Sequence, residues 1–165
     1  MKINMRVWLK IPDAEAATVK NTIVRRLGYG PVLSDVKKER LYSIEVDGGD
    51  PADLAKRFTR ELVNENKESC KISFDELKFE PGYVPVKVGL NIEDGEAIST
   101  RDRLRNRLGI KNVKNVEKAT VWKLYLKGDG QEKVARDIAE NLLTNPHKDS
   151  YEILSQENLI QAVAR

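Results

Sequence analysis

The sequence has a single cysteine, Cys70, and a single histidine, His147, among its 165 residues. Metal sites and activated nucleophiles usually need several such side chains, so this scarcity argues against a metalloenzyme or a thiol protease. We expect Cys70 to be a buried strand residue, because it lies in the alternating run SCKISF. We expect His147 to lie in a polar turn. These absences favour a non-catalytic module.

Long apolar runs and one-sided charge are also missing. No stretch approaches the roughly 18 to 20 apolar residues of a membrane span, and the alternating start MKINMRVWLKIP differs from a continuously apolar secretion signal. The 29 basic and 26 acidic residues nearly balance, while 40% of the residues are hydrophobic, enough for a packed core. We therefore expect a folded, cytoplasmic protein with neither a membrane nor a nucleic acid as partner, and one cysteine agrees with that compartment.

What the chain does contain is an internal repeat. Residues 5–16 (MRVWLKIPDAEA) align with residues 86–97 (VKVGLNIEDGEA), so that Val88 corresponds to Val7. The register continues through the Arg-Leu-Gly sequences at 26–28 and 107–109 and then slips by one position. A period of roughly 80 residues indicates a duplicated small domain rather than a solenoid.

Each half predicts the order strand, helix, strand, strand, helix, strand. Alternation places Val7, Leu9 and Ile11 on one face of the opening strand. The next segment has a helical stripe closed by a glycine. Asp50 and Pro51 form a helix start. The apolar or small residues of the first predicted helix in each half are at positions 16, 19, 23 and 27 and at positions 97, 100, 104 and 108. Two short strands are predicted after each of these helices, at 32–38 and 40–46 in the first half and at 113–118 and 120–126 in the second.

The fold class predicted from these patterns is α+β. Residues 1–80 and 86–165 form two tandem copies joined by a linker at 81–85. We expect the helices to pack on one face of each sheet. Because a unit of about 80 residues is of marginal size alone, the copies should associate with pseudo-two-fold symmetry.

Large aromatic side chains distinguish the halves. Trp8 is replaced by glycine in the second half, and Tyr125 replaces a glutamate of the first. A large aromatic on a polar strand face indicates a cover, either the other copy or a separate protein. Because Trp, Tyr and Arg dominate binding hot spots, Trp8, Tyr125, Arg103 and Arg107 are our candidates for a partner interface.

A specific resemblance lies at residues 142–153, which read LLTNPHKDSYEI. The Leu-Leu-x-Asn-Pro run, followed by Asp149, Tyr151 and Glu152, resembles the C-terminal signature of PurS, the small subunit of phosphoribosylformylglycinamidine synthase. Residues 101–116 (RDRLRNRLGIKNVKNV) are similar to another segment of that family. The resemblance covers the second half well and the first weakly. It adds Asn145, Pro146 and Tyr151 to the candidate interface.

The resemblance implies a ferredoxin-like, PurS-like fold, and a chain equivalent to two family members fused into one. It also implies a non-catalytic bridging role in a ligase complex of purine biosynthesis. In that complex a synthetase amidates formylglycinamide ribonucleotide with ammonia that a glutaminase releases from glutamine. The small subunit holds the two enzymes together and supports ammonia transfer. ATP, magnesium and glutamine are used by the partner subunits, so this chain is expected to bind no cofactor, while further self-association stays open.

Two other functions share this predicted element order. A paired small-molecule sensor would bind its ligand near the first strand-to-helix turns, at Asp13 and Asp94, although both acids also suit helix caps. An RNA-binding domain would present aromatic residues on central strands, but RLYSIEV and TVWKLYL lack that family's aromatic-rich motif. Arginines 101 to 107 form either a hydrated helix rim or a site for carboxylates or phosphate. Residues 155–165 predict a short helix capped by Ser155.

Overall fold

A computed structural model gives the structure of the protein over residues 1–154. The predicted terminal helix at 155–165 lies outside the described residues. Within residues 1–154 no helix is long and apolar enough to cross a membrane. The elements, in chain order, are β1 (Lys2–Leu9), α1 (Ala14–Arg26), β2 (Leu33–Val46), α2 (Pro51–Leu62), β3 (Glu68–Phe74), β4 (Val84–Leu90), α3 (Gly95–Asp102), β5 (Val113–Leu126), α4 (Gln131–Ile138) and β6 (Asp149–Ile153). Single π-helical turns, Arg103–Arg107 and Ala139–Leu143, follow α3 and α4.

The fold is α+β, with a six-stranded antiparallel sheet in the order β3-β1-β2-β5-β4-β6. Strand β1 pairs with β2 and β3, so that Met5 lies opposite both Tyr42 and Ile72. Strand β4 pairs in the same way with β5 and β6, with Val86 opposite Trp122 and Ile153. The α+β class predicted from the sequence is thereby confirmed.

The chain divides into two compact units, and each unit takes segments from both halves of the sequence. Unit 1 consists of Met1–Ile11, Arg40–Leu77 and Glu93–Ala119. Unit 2 consists of Pro12–Glu39, Lys78–Ile92 and the described residues from Thr120 onward. Helix α1 therefore belongs to unit 2 and α3 to unit 1. The boundary at 81–85 concerns the repeat in sequence and stays a prediction.

The core of unit 1 lies between one strand face and the helices α2 and α3. Ile3, Met5 and Val7 of β1 are at most 1% exposed. They form a cluster with Phe58 of α2 and Leu104 of the π-helical turn. Burial of each large side chain contributes about 1.5–3 kcal/mol, so this face fixes the sheet register.

The core of unit 2 is built in the same way from α1 and α4. Ala16 and Ile23 of α1 pack with Ile138 of α4, with Val19 and Leu27 against them. The predicted helical stripe at 16, 19, 23 and 27 is therefore confirmed. So is the stripe in the second half, because Ala97, Thr100 and Leu104 are buried and Leu108 packs against the unit 1 core.

The predicted helix boundaries follow from capping. The Asp50 side chain accepts a hydrogen bond from the Ala52 N–H, with Pro51 at the first helical position. Gly28 and Gly109 have φ of 74° and 68°, a left-handed conformation that glycine adopts without strain. Each comes directly after the C-cap residue, Leu27 or Leu108, so they end the helices as predicted.

The predicted pairs of short central strands are wrong, since each pair is one continuous strand of 14 residues, β2 or β5. The predicted connections fall near residue 39 and residue 119. The residues there read KKER and EKAT and contain no glycine, proline or asparagine. Without a turn-forming residue the alternating pattern simply continues. Strand β4 begins at Val84, within the segment 81–85 that the repeat predicts as a linker.

The predicted core face of the opening strand is only partly correct. Val7 is buried, but Leu9 is 37% and Ile11 66% exposed. Strand β1 begins at Lys2 and ends at Leu9, so its buried stretch lies earlier than the alternation indicates. In the second half Val86 is buried, whereas Leu90 and Ile92 are 40% and 58% exposed.

Cys70 lies in β3 opposite Val7, partly buried against the core of unit 1. Burial raises its pKa from 9.0 to about 11; the nearby Arg40 opposes the rise and Glu68 adds to it. The thiol is therefore protonated at neutral pH, and it behaves as a packing residue.

We expect Cys70 to react slowly with iodoacetamide while the protein is folded. With a folded pKa of about 11 against 9.0, the thiolate fraction at pH 8 is about 100-fold lower than in the unfolded chain. Because Cys70 is the only cysteine, mass spectrometry of native and urea-unfolded samples reports on this one thiol. Equal labelling rates in the two samples would contradict the assigned burial.

Candidate interaction surfaces

Trp8 lies on the face of β1 that points away from the unit 1 core, opposite Ser69. Its side chain is half-buried. Asn4 and Arg6, on the same face, are 4% and 2% exposed. Asn4 donates to the Asp75 carbonyl and accepts from Ser43. This face is thus largely covered by the chain itself, and exposure increases from Arg6 toward Trp8.

Tyr125 belongs to a cluster of aromatic rings and lysines in unit 2. Its ring centroid lies 5.3 Å from that of Tyr83, which in turn meets Phe79 edge-on at 6.4 Å. Lys37 Nζ lies 5.4 Å from the Tyr125 centroid, and Lys123 Nζ lies 4.7 Å from the Tyr83 centroid. Both are distances at which an ammonium is attracted to a ring face. Tyr125, predicted to contact a partner, is therefore packed against its own chain.

A buried ion pair lies beside this cluster. Glu39 is 1% exposed, and its Oε1 is 3.8 Å from Nζ of Lys123, whose side chain is 14% exposed. Burying a carboxylate is unfavourable unless a partner compensates its charge. We call residues 78–83 the connecting segment. It supplies Phe79 and Tyr83, which cover this sheet face, and no sequence pattern indicates their position.

Arg103 and Arg107 lie together in the π-helical turn after α3, where both approach Glu61 of α2. The distances to Glu61 Oε1 are 3.2 Å from Arg103 Nε and 3.9 Å from Arg107 Nη1. Arg57 of α2 donates to the Leu108 carbonyl at 3.0 Å, which satisfies an acceptor at the end of the turn. The side chain of Arg107 remains 74% exposed.

Asn145 and Pro146 form an exposed turn before β6. The Asn145 side chain accepts from the His147 N–H, and its own N–H donates to Asp149 at 2.8 Å. His147 thus lies in a polar turn, as predicted. The Asn-Pro-x-x-Asp pattern has a local structural role here, because it closes the turn that starts the strand.

The same turn occurs before β3, which the sequence patterns did not predict. Asn64 accepts from the Asn66 N–H and donates its own N–H to Glu68 at 3.0 Å. Glu68 also binds Arg40, with Oε2 2.8 Å from Nη1. The shared signal is the Asn-x-x-x-acid spacing, which is independent of the proline.

Tyr151 lies beside α4 and donates its hydroxyl to Glu140 at 2.6 Å. This hydrogen bond, with smaller contributions from burial and the Glu140 charge, raises the pKa of Tyr151, while Arg136 opposes the change. Tyr151 is thus held within unit 2, like Tyr29, which donates to Asp137.

The residues named for the two alternative functions have structural partners. The side chains of Asp13 and Asp94 accept backbone N–H bonds at the starts of α1 and α3. Tyr42 and Trp122 are each 6% exposed within the helix-covered cores, where a base could not stack on them. Within residues 1–154 no group of three His, Cys, Asp or Glu side chains is placed to bind a metal ion.

The hydrogen bonds that Glu68 accepts predict a pH-dependent contribution to stability. Desolvation opposes ionisation of this carboxyl, but the bonds from Arg40 and the Asn64 N–H outweigh it and lower its pKa below 4.5. A lowered folded-state pKa stabilises the protein above the unfolded pKa, and this stability is lost as the pH falls through the folded pKa. We expect Glu68→Gln to lower the free energy of unfolding by about 1–2 kcal/mol at pH 7.

Urea denaturation between pH 7 and pH 3 measures this contribution. The matched control is Asp149→Asn, at the equivalent position of the other turn, which keeps the oxygen that accepts from Asn145. The gap between wild type and Glu68→Gln should shrink as the pH falls. A gap that stays constant, or an equal loss in the control, would show that the Arg40 pair is unimportant.

No protein-family model matches the chain, and no curated protein matches it.

Proposed function

We propose that this chain is an internally duplicated, PurS-like bridging subunit. It would hold the synthetase and the glutaminase of phosphoribosylformylglycinamidine synthase together and support ammonia transfer between them. The proposal rests on the C-terminal signature at 142–153 and on a duplication for which the contacts of the two units give support.

The observation that carries the duplication is a matched lysine contact. In unit 2, Lys38 Nζ lies 2.5 Å from Glu15 Oε2 and 5.9 Å from the Trp122 ring centroid. In unit 1, Lys118 Nζ lies 2.5 Å from Glu96 Oε2 and 5.8 Å from the Tyr42 centroid. By the repeat, Lys118, Trp122 and Glu96 are the equivalents of Lys38, Tyr42 and Glu15.

In each unit, the contact between the lysine and the aromatic ring joins residues from both halves of the sequence. Lys38, which is paired with Glu15, belongs to the first half, and its ammonium lies near the ring of Trp122 from the second. In the other unit, Lys118 of the second half lies near Tyr42 of the first. The helices show the same exchange, because α1 of the first half belongs to unit 2 and α3 of the second half belongs to unit 1. Such reciprocal exchange is what a fused, intertwined dimer would produce, and it supports a pseudo-two-fold pair.

Backbone hydrogen bonds recur with the period of the repeat. The Lys10 N–H donates to the Lys67 carbonyl, as the Asn91 N–H donates to that of Lys148. The Asp47 N–H donates to the Asn112 carbonyl, and the Lys127 N–H to that of Val32. In the second pair of bonds, equivalent residues of the two halves are one position closer in the sequence than they are in the first pair.

The π-helical turn Ala139–Leu143 marks where the spacing changes. Phe58 matches Ile138 before this turn, and Asn64 matches Asn145 after it, one position later than the earlier spacing requires. One extra residue in α4 would rotate everything beyond it by about 100° if the helix stayed regular. A single i→i+5 turn absorbs the residue and restores the register.

The duplication therefore predicts that one residue can be removed from this turn. Deletion of Asn141 should convert the turn to α-helix and change the free energy of unfolding by less than about 1 kcal/mol. Deletion of Arg60 from α2, which is α-helical throughout, should cost several-fold more, because it turns Leu62 away from the core. Thermal unfolding followed by circular dichroism compares the two deletion variants. Equal destabilisation would contradict the hypothesis that α4 contains one inserted residue.

Reconstitution with the synthetase and glutaminase of the same organism tests the bridging role. We expect the three proteins to co-elute on size exclusion in the presence of glutamine and ADP. The chain should raise the amidation rate supported by glutamine and leave the rate supported by ammonium chloride unchanged, because free ammonia needs no transfer between subunits. No co-elution, with unchanged glutamine-supported activity, would refute the proposal.

A further inference from the structure

The helix layer of unit 1 carries a surplus of guanidinium groups. We call Arg57, Arg103, Arg105 and Arg107, with Glu61, the arginine surface. All four arginines are exposed residues. A single carboxylate, Glu61, lies within 4 Å of two of them, Arg103 and Arg107. The net charge of this group of five side chains is therefore positive.

Internal contacts account for only part of this charge. Arg57 satisfies the Leu108 carbonyl, a helix-end acceptor. A cation at a helix C-terminus also interacts favourably with the helix dipole, which explains one arginine near the end of the turn. Arg105 makes no hydrogen bond or ion pair with the described residues, and Arg107 reaches Glu61 only at 3.9 Å. The bond to the Leu108 carbonyl and the contact with Glu61 therefore do not explain why arginines occupy positions 103, 105 and 107.

The equivalent positions in unit 2 have a different charge. By the repeat, Arg103 and Arg105 correspond to Thr22 and Val24, and Arg57 corresponds to Asp137. Arg107 corresponds to Arg26, which is also exposed. The packing of α1 onto its core therefore needs no arginine at 22 or 24. The surplus positive charge is specific to unit 1.

Resting on the proposed function, we propose that the arginine surface docks an acidic surface of a protein partner in the complex. Charge complementarity favours carboxylates as ligands, since a planar guanidinium binds them in a bidentate manner. Glu61 holds Arg103 from the side and pre-orients it, which lowers the entropy lost on binding. A nucleic acid is less favoured, because Tyr42 and Trp122 are buried within the two cores, where a base could not stack on them.

Charge reversal at Arg107 tests the surface with a control built into the chain. Arg107→Glu is expected to weaken binding to one of the two partner enzymes about tenfold or more, as reversal at a hot-spot arginine does. Arg26→Glu makes the same change at the equivalent exposed position of unit 2 and should leave binding unchanged. Biolayer interferometry at low and at high NaCl concentration should show a smaller salt dependence for Arg107→Glu.

A second arm is independent of the enzymes and separates failure of this inference from failure of the proposed function. Titration of the ¹⁵N-labelled chain with deca-glutamate should shift amides around Arg57 and Arg103 more than those around Arg26. Arg107→Glu should reduce those shifts, and oligothymidylate at equal charge should produce smaller ones.

Each outcome bears on one of the two proposals. If wild type binds neither enzyme but deca-glutamate maps to the arginine surface, the bridging proposal fails and the acidic-ligand surface stands. If an enzyme binds and Arg107→Glu binds as tightly as wild type, the arginine surface is not its docking site. Equal shifts around Arg26 and Arg107, or stronger shifts with oligothymidylate, would also overturn the inference.

Discussion

Uninterrupted strand structure through β2 and β5 is the constraint on which the rest of the molecule depends. Each strand runs for 14 residues, about 48 Å at 3.4 Å per residue, and contributes a segment to both units. The cause is local, because neither strand has a turn-forming residue at its midpoint. As a result neither half of the sequence holds a whole core: Leu104 completes one cluster and Ile23 the other.

Features set by neighbouring residues could be predicted from the sequence. The Asp50 cap, the glycines at 28 and 109 and the two helical stripes all depend on positions within a few residues of each other. The strand breaks predicted near residues 39 and 119 are wrong, because neither position has a turn-forming residue. The predicted burial of Leu9 and Ile11 is wrong, because alternation indicates which residues share a strand face but not where the strand leaves the core.

The candidate surface could be predicted only in part. Residue type and helical spacing identify Arg103 and Arg107, yet their shared partner Glu61 depends on which helices pack together, and α3 packs in unit 1. Tyr125 is an aromatic that needs a cover, and it has one in Tyr83. The resemblance in sequence draws attention to the Asn145 turn alone, whereas the structure shows the same hydrogen bond, with the same spacing, in the Asn64 turn.

The exchange of segments between the units has a consequence for synthesis on the ribosome. The first half carries β1, α2 and β3 of unit 1, but the cluster they form also needs Leu104, Val113 and Val116. At about 5–20 residues per second, the 36 residues from the end of the first half at residue 80 to Val116 take about 2–7 s to make. For that time Phe58 and Met5 lack part of their cover. The nascent chain is thus exposed to misfolding and chaperone capture for longer than a chain whose N-terminal half closes its own core.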